Sequence, residues 1–128
     1  MANALDTYPA NSTALRHPWV RKELIGQLED LSAPDPRPIW NEERKRGLVA
    51  GIDQTIHFMF DDHDFGASDI GLSLFDTEEV HAVSTVKSAL APLIAALPDG
   101  QDDEYVSHRI WSRVTAAATT ALGILVRE

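Results

Sequence analysis

A chain of 128 residues has material for one hydrophobic core and not for two, and with 44% hydrophobic and 24% charged residues it lies outside the range of chains that stay unfolded. The absence of cysteine excludes a disulfide framework and a thiolate metal centre. A net charge of −9 sets the surface against phosphate backbones and anionic lipid, so direct nucleic-acid and membrane binding are not expected.

In chain order, residues 1–14 are small and polar and are expected to fray, with no basic start or apolar stretch of the secretory kind. Residues 15–128 are expected to form a single domain, and with no apolar run of about 18 to 20 residues the expected location is the cytoplasm. A first helix is predicted from His17-Pro18, where proline gives up an amide that has no intrahelical partner. Val20, Leu24, Leu28 and Leu31 form its apolar stripe, and Pro34, Pro36 and Pro38 close it. Asn41 to Arg46 fits either one helical turn or a loop.

Ile52, Ile56, Phe58 and Phe60 lie on one face at period two, which predicts a strand from Ile52 to Phe60. Leu48, Ile52, Ile56 and Phe60 also recur every four residues, the spacing of a helix running on from Asn41. After an acidic connection, Ile70, Leu72 and Leu74 alternate with Gly71, Ser73 and Phe75, which predicts a second strand. Asp76-Thr77-Glu78-Glu79 reads as a helix start, and Val80, Val83, Val86, Leu90, Leu93, Ile94 and Leu97 carry its stripe. Pro92 is expected to kink or interrupt that helix. Pro98-Asp99-Gly100 is a turn, and Val106, Ile110, Val114, Ala117, Ala121 and Leu125 predict a last helix antiparallel to the one before it.

The expected architecture is therefore α+β: an N-terminal helix, an antiparallel β-hairpin with room for a third strand from Ile39 to Ala50, and two antiparallel C-terminal helices packed on it. The competing architecture is all-α, with residues 41–60 a helix.

Chemistry-bearing residues are few. His57, Asp61 and His63 are the one dense set of metal-ligand types, but their expected state is a solvated connection, and no metal or cofactor is assigned. A calcium loop begun at Asp62 fails, because glycine falls at the fifth position and Ser73 stands where the bidentate glutamate belongs. No nucleophile elbow and no phosphate-binding glycine loop occurs, so no catalytic residue is assigned. What stands out is segregation: between Arg46 and Lys87 there are eight carboxylates and no Lys or Arg. Such a field speeds encounter with a basic protein. The candidate partner-binding residues are Asp61, Asp62, Asp64, Asp69, Glu78 and Glu79, with Phe65 as an apolar anchor.

The helix with its Pro-rich exit, the segment closing in Phe60-Asp61-Asp62, the stretch around Gly71, the run Asp76-Thr77-Glu78-Glu79-Val80 and a last helix carrying Trp111, Val114 and Ala118 together resemble a group of small uncharacterised bacterial proteins, many of them actinobacterial. The resemblance runs from His17 onward and implies no activity. In size and acidity the chain is also similar to immunity proteins of bacterial toxin systems, which implies a cytoplasmic protein that occludes a basic, nuclease-like toxin. The rival expectations are a structural or oligomerising domain without catalysis, and a small metal-dependent enzyme built on His57, Asp61 and His63.

Overall fold

The computed structural model of the chain describes residues 14–127, and among them every regular element is helical and no strand forms. The expectation for residues 1–14 lies, but for Ala14, outside the described residues.

Helix α1 spans Pro18–Ser32 with proline in its first turn, and buries Arg21, Leu24, Leu28 and Leu31. The proline run then has two effects. It stops α1, and because proline's fixed φ suits a first helical turn, it also opens α2, Arg37–Lys45, around the buried Trp40. A loop through Gly47 and Gly51 leads to α3, Ile52–Ile56, which continues as π-helix from His57 to Asp62.

The predicted hairpin is overturned at both of its strands. In the first, Thr55 and Met59, which the period-two reading placed opposite the apolar face, are buried, while Ile56 and Phe60 are half-buried. The neighbours Phe58 and Met59 both face the core, which a strand, with its alternating faces, does not allow and a helical turn does. In the second, the amides of Leu72, Ser73 and Leu74 all converge on the Asp69 carbonyl at 2.9 to 3.1 Å, and Gly71 takes a positive φ of 91°. A tight turn after the 3-10 segment Ala67–Asp69 results, with one isolated bridge between Ile70 and Leu74. Ile39 to Ala50, offered as a third strand, is α2 and the following loop.

Helix α4, Thr77–Ala96, starts at Asp76, whose Oδ1 accepts from the Glu79 amide at 2.9 Å. It runs through Pro92 without interruption. Pro92 and Ser88, the carbonyl that loses its partner, are both exposed, so water can satisfy the freed acceptor. The last predicted helix is two: α5, Asp102–Val106, and α6, Trp111–Val126. The buried stripe of α6 is Trp111, Val114, Ala118, Ala121 and Leu125, with Val106, Ile110 and Ala117 at its edge. Helices α1 and α4 both pack on α6, and this three-helix assembly holds most of the core.

One ion pair fastens the assembly at a single end. Arg21 of α1 meets Glu79 of α4 through two bonds of 2.7 and 2.8 Å, and it also donates to the carbonyls of Ser73 and Leu125, at 3.1 and 2.8 Å. The Phe75 amide donates to Glu79 at 2.8 Å, and the guanidinium lies 4.6 Å from the Phe75 ring centre. Both charged groups are buried, so the bidentate geometry and these further bonds are what offset their desolvation.

Candidate protein-interaction surface

The seven residues singled out from the sequence do not form one acidic face. Glu79 is the buried partner of Arg21, with 3% exposure, and is unavailable to another molecule. Phe65 is also a core residue at 2%, held at φ 55° with its ring 5.5 Å from that of Phe58. Asp69 accepts from the Gly66 amide at 3.0 Å and closes its own turn. Glu78 and the cap residue Asp76 lie 3.0 and 3.4 Å from Arg127, which arrives from the end of α6. Lys87 reaches the Asp64 carbonyl at 2.9 Å and stands over the Phe60 ring. Asp61, Asp62 and Asp64 are exposed as expected. The field is thus broken by Arg21 and Arg127, cations from outside the acidic stretch.

The metal-ligand types are dispersed too. His57 and Asp61 are 2.7 Å apart, one turn along the π-helix, while the His63 ring packs against Phe58 and Phe65 at 5.0 and 5.2 Å. Among the described residues no group of three or more His, Asp or Glu side chains could hold a metal ion.

A different surface is better built. Glu23, Gly26, Gln27 and Asp30 stand at spacings of three, one and three along α1, which puts them on one helix face. Glu29 and Glu43 flank them, and the loop after α2 closes the other side, giving a groove of about 420 Å3. Its floor holds the buried Trp40, and its lip carries Leu48 and Val49, 54% and 79% exposed. Gly26 leaves room in the wall, since a Cβ there would meet nothing within 4 Å.

The loop that presents Leu48 and Val49 is tied at both ends. Gly47, at φ 83°, follows the last turn of α2, and the Leu48 amide bonds the Glu43 carbonyl at 3.0 Å. At the far end Arg44 donates to the Ala50 carbonyl at 3.0 Å and pairs with Asp102, which in turn accepts from the Ile52 amide at 2.9 Å. Gly51 takes φ 126°, a region that side chains rarely adopt, and a Cβ there would strike the Arg44 guanidinium and the Asp102 carboxylate. Inside the groove, burial beside Glu43 and Glu29 pushes the Asp30 carboxyl up to about 6.

The family model for a domain of unknown function, DUF7945, matches residues 15–128. The chain belongs to the DUF7945 family. No curated protein and no solved structure matches it. The DUF7945 fold therefore stands on its own residues, and the groove was not foreseen because its parts are ordinary in sequence: three polar residues on a helix face, and two apolar residues after a glycine. The signal that could have found it is Leu48-Val49 between Gly47 and Gly51, an apolar pair in a segment with little room to bury it.

Proposed function

We propose that this DUF7945 chain is a non-catalytic protein-binding domain whose docking surface is the groove between α1, α2 and the Gly47–Gly51 loop. The observation that carries the reading is the exposed Leu48-Val49 pair, on a loop tied at both ends, in one groove with Glu23, Glu29, Asp30 and Glu43. Apolar side chains kept in water on a fixed support are the usual anchors of an interface, and a ring of carboxylates selects a partner with basic residues around an apolar contact. The polar groups that could otherwise suggest catalysis have structural work: Glu79 anchors Arg21, Asp76 caps α4 and Asp102 fixes the loop.

In its narrowest form the partner is a basic, nuclease-like toxin whose nucleic-acid face the domain covers, with the net charge of −9 speeding encounter and the cysteine-free composition in keeping with the cytoplasm. The test is titration of the purified chain with the product of the neighbouring gene in its host, at low and high salt. Saturable binding that weakens as salt rises supports the reading. An acidic partner, or binding indifferent to salt, overturns the basic-partner form.

A further inference from the structure

The exposed faces of α4 and α6 leave a second groove, of about 560 Å3 and mostly apolar, built from Ala82, Thr85, Ala117, Thr120 and Ile124. Its ends differ in charge. Glu78 and His81 lie at the Ile124 end, where Arg127 also arrives, and Arg113 lies at the other, about 16 Å away along α6 at the rise of an α-helix. Arg113 makes no ion pair among the described residues.

We propose that this groove is a self-association surface, covered by the same groove of a second copy across a two-fold axis. A two-fold axis through the centre of the groove and perpendicular to its length exchanges its ends, and so brings the Asp76, Glu78 and Arg127 cluster of each copy, two carboxylates with one arginine, towards Arg113 of the other. Small side chains in the walls allow two helix pairs to approach at the distances of a four-helix bundle. Charge does not oppose a second copy on this face. The whole chain carries −9 and repels itself, but on this face Asp76 and Glu78 are balanced by Arg113 and Arg127. The surface is distinct from the groove at Leu48 and Val49, and the inference does not rest on it.

Sedimentation equilibrium over a range of concentrations tests it. The native chain is expected to show a reversible monomer–dimer equilibrium. Ala116→Arg, at an exposed position on the groove wall, is expected to abolish it while leaving the melting curve in place. Arg113→Glu and Glu78→Arg should each weaken association about tenfold or more, since one reversal spoils both symmetry-related pairs. Mixing the two single variants should restore a dimer, which loss of an internal contact cannot do. A chain that stays monomeric to its solubility limit overturns the proposal. So does a dimer that survives Ala116→Arg, or one abolished by Leu48→Ser with Val49→Ser instead.

Discussion

Arg21 and Glu79 show how a residue's role can turn on its burial. In the sequence Glu79 is one of eight carboxylates in a stretch without cations; in the fold it is a buried acceptor for Arg21 and the Phe75 amide. Glu79→Gln leaves a buried guanidinium without its counter-charge and should cost about 3 to 5 kcal/mol. The double variant Arg21→Met with Glu79→Leu should recover part of that loss, because it removes both desolvated charges together but also takes their partners from the Ser73 and Leu125 carbonyls and the Phe75 amide. Urea unfolding measures both, and a Glu79→Gln curve superimposed on the native one would refute the role. Asp30 is a second case. Its folded pKa of about 6 lies above the ordinary 3.8, so the folded chain holds this proton more tightly than the unfolded one. Its contribution is therefore favourable at low pH and declines as pH rises from about 4 through 6. Asp30→Asn should make the chain more stable at pH 7, by on the order of 1 kcal/mol once the half-exposed carboxyl is allowed its solvent screening, and should give no gain near pH 4. Thermal melts of both forms at the two pH values check the sign.

At the scale of elements, legibility followed how cleanly one period could be told from another. The start of α1, its three buried leucines and its end at the prolines were readable, as was the Asp76 start of α4, because each rests on local chemistry. Ile52 to Phe60 was not, since its apolar residues satisfy periods two and four together, and the deciding positions are Thr55, a polar residue buried in α3, and Met59, buried in the π-helical turn that follows. The last helix was readable from Val114 through Ala121 to Leu125, which are buried as expected, but not at its start. The stripe from Val106 runs on to Ala117 and Leu125, but the chain breaks between α5 and α6 and Trp111 restarts the buried face. The candidate site suffered most, because charge segregation in sequence was taken for segregation in space, and Arg21 and Arg127 come from the two ends of the chain. The Gly47–Gly51 loop yields its own test. Gly51→Ala forces a side chain into a glycine conformation against Arg44 and Asp102, and should cost about 1 to 3 kcal/mol. It should also raise amide exchange at Leu48 and Val49, whereas unchanged exchange there would show that the loop is not held by these ties.

For the whole molecule, two acidic regions compete as the docking surface. The connection at Asp61 and Asp62 offers charge, but its expected apolar anchor, Phe65, is buried, whereas the α1–α2 groove offers carboxylates together with Leu48 and Val49, 54% and 79% exposed. Interfaces draw most of their binding energy from a few desolvated anchors, while peripheral charges chiefly set the rate of encounter. The two surfaces should therefore fail differently. The most direct measurement is the partner's dissociation constant for two variants, Leu48→Ser with Val49→Ser and Asp61→Lys with Asp62→Lys, each confirmed as folded by its melting curve. The groove variant should lose at least about tenfold in affinity through faster dissociation, and the connection variant should change by a few-fold through slower association. Native affinity in the groove variant, with binding abolished in the connection variant, would contradict the assignment.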